Sequence, residues 1–193
     1  MPLPPYIHRE LADPERYQTV YAAEPGSVAA PTAGLHLSGA VLCRCQAKGV
    51  RIVTLDLAVG LGTFRPITAS RAEDHWMHAE RYRVPAETLA TCERAPRVVA
   101  VGTTTVRALE TAAATGRLSG DTSLYIFGDF PFKVVDVLLT NFHQPRSSLL
   151  LLLEAFCGPR WRDLYELALT ERYRFLSFGD AMLVGRHKLP TAP

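Results

Sequence analysis

The sequence predicts an α/β protein with a mixed, largely parallel sheet and flanking helices. Short runs rich in Val, Ile and Leu alternate with amphipathic stretches long enough to be helices. Glycines and prolines sit at the joints between them. Several apolar runs also end in polar turns: Ala29–His36, Val59–Pro66, Val101–Arg107 and Leu139–His143. Ligand sites of α/β proteins form where strands hand over to loops, so these turns point to a polar ligand held at one rim of a sheet. At 193 residues and 48% apolar content, residues 1–193 suit a single domain with a full core.

The elements follow in order. Asp13-Pro14-Glu15 offers an N-cap, a proline at the first helical position and an acid in the first turn. Tyr17, Val20 and Tyr21 then fall on one helical face. A second helix is expected from Ser38 to Lys48, stopped by Gly49. Val50 to Val59 reads as a buried strand, because β-branched and aliphatic residues fill it. From His78 to Val84 the pattern alternates, putting His78, Glu80, Tyr82 and Val84 on one face and Arg81 and Arg83 on the other. Pro85 to Glu93 looks helical. Arg97 to Val101 is a strand, Gly102-Thr103-Thr104-Thr105 a turn, and Val106 to Thr115 a helix ended by Gly116. Leu124–Phe127 and Val134–Leu139 are further strands. Ser147 or Ser148 caps a Leu-rich helix ending at Gly158-Pro159. Trp161 to Tyr173 is amphipathic, with Leu164, Leu167 and Ala168 on its apolar face, and Ala181 to Val184 is a final strand.

A formal net charge of +2, from 21 Lys+Arg against 19 Asp+Glu, permits an RNA partner without arguing for one. Cys43, Cys45, Cys92 and Cys157 lack zinc spacing: Cys43 and Cys45, two apart on a helix, point about 200° apart. Buried thiols in a reducing compartment are expected. The N-terminus has no apolar leader, and Leu149–Leu153 is too short to span a bilayer, so the expected location is cytoplasmic with no membrane association.

Five features carry chemistry. Gly102-Thr103-Thr104-Thr105 before a helix offers N–H groups and hydroxyls to a carboxylate or phosphate, or else is an N-cap without a ligand. It lacks the Lys and second Gly of a P-loop. Gly60-x-Gly62-Thr63-Phe64-Arg65-Pro66 lets backbone approach a ligand beside a cation, or is a tight turn with a stacked Arg; it has no third Gly for a dinucleotide fingerprint. His75-x-x-His78-x-Glu80 resembles a metal set, but a strand at His78–Glu80 strands His75 on the preceding turn. No metal is expected there. A His–Glu acid/base pair and a structural ion pair are the remaining readings. Asp136, inside Val134–Leu139, either pairs with an Arg or holds a ligand, since an acid in such a run is rarely buried alone. Asn141-Phe142-His143-Gln144-Pro145 places amide and imidazole groups at a strand end. No G-x-S-x-G elbow is present, which argues against a hydrolase triad.

Taken together, these segments resemble one family. The ordered matches are Arg16–Ala22, Val28–His36, Val59–Pro66, His75–Glu80, Val101–Glu110, Val134–His143 and Tyr173–Leu183. The chain is similar to the S-adenosylmethionine:tRNA ribosyltransferase-isomerases of queuosine biosynthesis over Tyr6 to about Val184. The resemblance implies transfer and isomerisation of the ribosyl moiety of S-adenosylmethionine onto the aminomethyl-deazaguanine wobble base of tRNA. Epoxyqueuosine forms, and adenine and methionine leave. It implies S-adenosylmethionine as a substrate with no further cofactor, and a queuosine-precursor tRNA as partner.

That chemistry needs a base for the ribose 5′ carbon beside the sulfonium, an anion site for the methionine carboxylate and hydrogen bonds to departing adenine. Glu80 and His78 are the acid/base candidates, with Asp136 and His143 next. Thr103, Thr104, Thr105 and Arg107 are expected around the carboxylate or a phosphate. His36, Gly60, Gly62, Thr63, Arg65 and Asn141 complete the binding set, with Arg65 meeting a tRNA phosphate or the adenine face.

Two departures from the family pattern carry expectations. The chain begins inside the family's Pro-Leu-Pro-Pro-Tyr segment, so the family's N-terminal part, with its β-barrel subdomain, is expected to be absent. Apolar surface and an open sheet edge would follow. Ala58 stands where the family usually has His, and Leu37 where Phe usually follows the His. The alternatives are a catalytically inactive binding module that keeps part of the ligand site, and a nucleotide-binding hydrolase.

Overall fold

The computed structural model describes residues 3–4, 6–8, 11–23, 27, 29–58, 67 and 71–187. Two sheets share one apolar core. Strands β1 (Asp56–Ala58), β2 (Glu80–Arg83) and β4 (Ser119–Thr122) form an antiparallel sheet in the order β1-β2-β4. Strand β3 (Val99–Val101) pairs parallel with β5 (Val137–Asn141), which pairs antiparallel with β6 (Ala181–Gly185). The α/β class holds and the second sheet is mixed, but parallel pairing is confined to β3 and β5. The reason is the connection to β6. One crossover helix would return the chain to the start of the sheet. Here two helices intervene and bring it back to the end it left, so Ala181 starts opposite Asn141.

The helices are α1 (Gly39–Ala47), α2 (Ala86–Arg94), α3 (Thr103–Thr115), α4 (Ser148–Cys157) and α5 (Trp161–Thr170). Their boundaries follow local chemistry. The Ser38 hydroxyl accepts the Val41 N–H and the Ser147 hydroxyl the Leu150 N–H, each at 3.3 Å, both N-caps. Gly102 precedes α3 at φ +92 and Gly116 ends it at φ +71, conformations that disfavour any residue with a Cβ. Ala108 and Ala112 on α3 are fully buried and let the helix sit close to the sheets. Beside them Val106 and Leu109 each contribute roughly 1.5–3 kcal/mol by burial.

Several elements differ from the sequence reading. Asp13 caps only a 3₁₀ turn, Pro14–Tyr17, by accepting the Glu15 N–H at 3.0 Å; Val20 and Tyr21 are exposed. Val50–Leu55 is unpaired and only Asp56–Ala58 forms strand, because β2 ends at Arg83 and Pro85 turns the chain into α2. Leu124–Phe127 forms no strand. Gly120 pairs with Tyr82, which ends the ladder at Thr122, and Ile126 packs into the core instead. Leu167 is exposed, since Tyr165 and Ala168 form the buried face of α5. Cys92 and Cys157 are buried, whereas Cys43 is exposed on α1. No helix among the described residues is long and apolar enough to cross a membrane.

Candidate functional site

A small cavity of about 70 Å³ lies where β3 and β5 hand over to their loops. The first turn of α3 forms one wall. Its N-cap is glycine and supplies no side-chain acceptor, so the leading N–H groups have no capping partner. Thr105 is engaged: its hydroxyl donates to the Val101 carbonyl at 2.8 Å. Thr103 and Thr104 are buried against the pocket (6% and 9% exposed), and among the described residues neither hydroxyl has a partner. Unfilled donors at the positive end of a thirteen-residue helix suit an anionic group.

The opposite wall is the end of β5. The Thr140 hydroxyl bonds His143 Nε2 at 2.9 Å, and the His143 N–H donates to the Tyr165 hydroxyl at 2.7 Å. Burial pushes the His143 imidazole down to about 4, so it is neutral near pH 7. Burial likewise pushes the Tyr165 hydroxyl up to about 12. Asn141 is a hub. Its carbonyl oxygen accepts from the Thr32 hydroxyl at 3.1 Å and its amide donates to His36 Nε2 at 3.3 Å, tying the 3₁₀ turn Thr32–His36 to the strand end. His36 is exposed and outside the pocket lining, while Asn141 is inside it.

A third wall comes from the turn before β6. Its Asp180 carboxylate accepts the Arg174 N–H at 2.7 Å, and a Cβ on Gly179 would lie 2.3 Å from the Arg174 carbonyl, so the turn requires glycine. This turn presents Leu176 and Ser177, and Ser177 shares a 2.6 Å hydrogen bond with the Tyr6 hydroxyl.

The other expected site residues lie elsewhere. Arg107, one helical turn into α3, points away from the pocket and pairs with Glu80 at 2.5 Å, both nearly fully buried. It also donates to the Leu124 and Thr122 carbonyls at 2.9 and 3.2 Å, and to the His78 carbonyl at 3.5 Å. Burial lowers the guanidinium pKa, and Glu80 partly offsets this. Arg107 is therefore not grouped with the threonines: although Thr103 lies four positions before it on the helix, its guanidinium is held by Glu80 and the Leu124 and Thr122 carbonyls. Of the two readings of the His78–Glu80 set, the structure shows an ion pair, though with Arg107. β2 begins only at Glu80, His78 is exposed before it, and Glu80 pairs with Arg107. Asp136 lies at the opposite end of β5, where it accepts the Val98 N–H at 2.9 Å and meets Arg186 at 3.4 Å. Of its two readings the Arg pairing is realised. Gly60, Gly62, Thr63 and Arg65 lie outside the described residues.

Sequence reasoning missed Tyr6, Thr140, Tyr165 and Ser177. Only Thr140 carried a usable signal, a polar residue inside an apolar strand. The other three reach the site through turns and helix packing that no local pattern encodes. Among the described residues no group of three or more His, Cys, Asp or Glu side chains is arranged to hold a metal.

Comparison with known proteins agrees with this architecture. The chain is 54% identical over 185 residues to the S-adenosylmethionine:tRNA ribosyltransferase-isomerase of Rubrobacter xylanophilus, covering 95% of this chain and 55% of the relative. The protein of the same name from Natranaerobius thermophilus is 52% identical over 196 residues, covering 95% and 56%. That from Thiobacillus denitrificans is 51% identical over 201 residues, covering 99% and 58%. The chain thus spans little more than half the length of these relatives. The crystal structure of S-adenosylmethionine tRNA ribosyltransferase from Thermotoga maritima superposes with a TM-score of 0.65 at 42% identity, over 78% of this chain and 50% of that one. The family model of the queuosine biosynthesis proteins matches residues 1–184, and the chain belongs to that family.

Proposed function

We propose that this chain, as one α/β domain over 1–193, binds S-adenosylmethionine in the pocket at the β3–β5 rim. There it takes part in transferring and isomerising the ribosyl moiety onto the aminomethyl-deazaguanine wobble base of tRNA. One observation carries this reading: the uncapped N-terminus of α3, with two unpartnered threonine hydroxyls, faces a buried neutral histidine across the cavity at the β3–β5 rim. The names of the relatives support the substrate and the reaction.

The residue types suit the chemistry. The methionine carboxylate sits at the positive end of α3, on the N–H groups and hydroxyls of Thr103 and Thr104. His143, neutral near pH 7, accepts or donates a hydrogen bond to the ligand without adding a cation beside the sulfonium. It is the acid/base candidate that lines the pocket. Asn141 positions the turn carrying Thr32 and His36. Arg107, Glu80 and Asp136 act as positioning residues, because their charged atoms are engaged away from the pocket. A role for Gly60, Gly62, Thr63 and Arg65 rests on the family resemblance of their motif. Because the chain spans little more than half of its relatives, binding without turnover is the second reading.

Two measurements test both. Calorimetry with S-adenosylmethionine should show Thr104→Val weakening binding about tenfold, the loss of one hydrogen bond to a charged group. Unchanged affinity would move the carboxylate off α3. Adenine release from S-adenosylmethionine only when precursor tRNA is present would support the transferase. Binding without release would support the binding module.

A further inference from the structure

We infer that the cavity on the outer face of α4 takes one guanine-type base of an RNA partner, turned out of its stack. Arg146 holds the attached phosphate. The inference rests on the proposed transfer to tRNA and adds the place where the acceptor nucleotide is held.

The cavity begins in the sequence. Ser147, the N-cap, and Leu150, Leu151 and Glu154 recur three and four apart, so they share one face of α4. Another face, with Leu152, Leu153 and Phe156, fills the core, whereas Leu150 and Leu151 stay half-buried. This second apolar face lines a cavity of about 220 Å³, with Ile67 and Trp161 beside it. An apolar cavity of about 150 Å³ holds benzene. The space here suits one bicyclic ring system, with sugar and phosphate left outside.

The polar groups select the base. Trp161 is fixed edge-on to Tyr165 at 5.3 Å, with Arg162 4.8 Å over its ring. Its indole N–H is buried and has no partner, an unmet donor in this wall that suits a carbonyl oxygen. One Glu154 oxygen accepts from Arg162 at 2.9 Å, and among the described residues the other has no partner. A carboxylate only accepts hydrogen bonds, so it favours the adjacent ring and amino N–H groups of guanine. Adenine presents a ring-nitrogen acceptor beside its amino group, which the carboxylate repels.

Arg146 completes a nucleotide site. Its backbone sits at φ +57, a conformation that disfavours residues with a Cβ and collects at ligand clamps. The Ile67 N–H holds it there by donating to the Arg146 carbonyl at 2.8 Å. Arg146 is exposed and borders the cavity, and among the described residues its guanidinium has no partner. Such a fork receives a phosphate. Ser147 lines this cavity and the one at the β3–β5 rim, so base and ribosyl donor lie side by side, as group transfer requires. Enzymes that act on a nucleobase extrude it into a pocket of this kind.

The test is fluorescence of the full chain carrying Trp76→Phe, which leaves Trp161 as its one tryptophan. Guanosine 5′-monophosphate should quench it at a concentration at least about tenfold lower than adenosine 5′-monophosphate. Glu154→Gln should bring the two nucleotides within about threefold of each other, and Arg146→Gln should weaken both about tenfold. An RNA hairpin with guanine in its loop should displace guanosine monophosphate. Quenching by neither nucleotide, or a preference for adenosine monophosphate, would overturn the base site. A hairpin that fails to displace the nucleotide would overturn the RNA partner and leave a free nucleotide as the ligand. Calorimetry of the same protein with S-adenosylmethionine separates the two readings: binding there without quenching here removes the base site and leaves the donor site standing.

Discussion

The two ends of β5 carry similar residue types and use them in opposite ways. At the entry end each carboxylate is answered, although the Arg186 Nε is buried without a partner. Asp136 holds the Val98 N–H and Arg186, and Glu110, 1% exposed, accepts the Lys133, Val134 and Val135 N–H groups at 2.7, 3.0 and 3.0 Å. At the exit end donors are left open, the first turn of α3 and the Thr103 and Thr104 hydroxyls, beside a neutral imidazole held by Thr140. A buried polar group without a partner costs free energy, so satisfied groups mark architecture and unsatisfied ones mark room for a ligand. Polarity alone does not separate the two.

Breaking the entry end should have the largest effect. Glu110→Ala would strand three backbone N–H groups, each costing about 1–3 kcal/mol, so urea unfolding should show a loss of about 5 kcal/mol. A loss below about 1 kcal/mol would mean that water replaces the carboxylate, and the end would not be closed. Next comes the Glu80–Arg107 pair, which fixes α3 to β2 and β4. Glu80→Gln leaves the guanidinium buried without its counter-charge and should cost about 4 kcal/mol. The double variant Glu80→Met with Arg107→Met should recover much of this, because no lone charge remains. If the double variant is as unstable as the single, the pair contributes attraction beyond its desolvation cost.

This contrast explains what the sequence could and could not reveal. Gly102-Thr103-Thr104-Thr105 was legible as a helix start without a side-chain cap, because a glycine N-cap and its helix are local. The α/β class, the caps at Ser38 and Ser147 and the stops at Gly116 and Gly158 were legible for the same reason. Arg107 and Glu80 were not, since their partnership spans 27 positions and depends on how α3 lies across the antiparallel sheet. Val50–Leu55 failed differently. Its composition suits a buried strand, but residues 50–54 are exposed and among the described residues pair with no strand.

The exit end is best sharpened through His143. Its imidazole is held down to about 4 in the folded protein, against about 6.5 in the unfolded chain. Between these values the unfolded state binds more protons, so stability should rise with pH across that window. It is fully present above about pH 6.5 and lost as pH falls toward 4. A shift of this size corresponds to no more than about 3 kcal/mol. His143→Gln should flatten that part of the profile. Carboxylate titrations elsewhere would persist in both proteins, so the difference between the two curves isolates the imidazole. A ligand hydrogen-bonded to the neutral ring should deepen the window, because it binds only the form that folding already selects. S-adenosylmethionine should therefore raise the unfolding midpoint about equally at pH 7 and pH 5, where the folded ring stays neutral, and less below about pH 4. An increment undiminished below pH 4 would place the ligand away from His143.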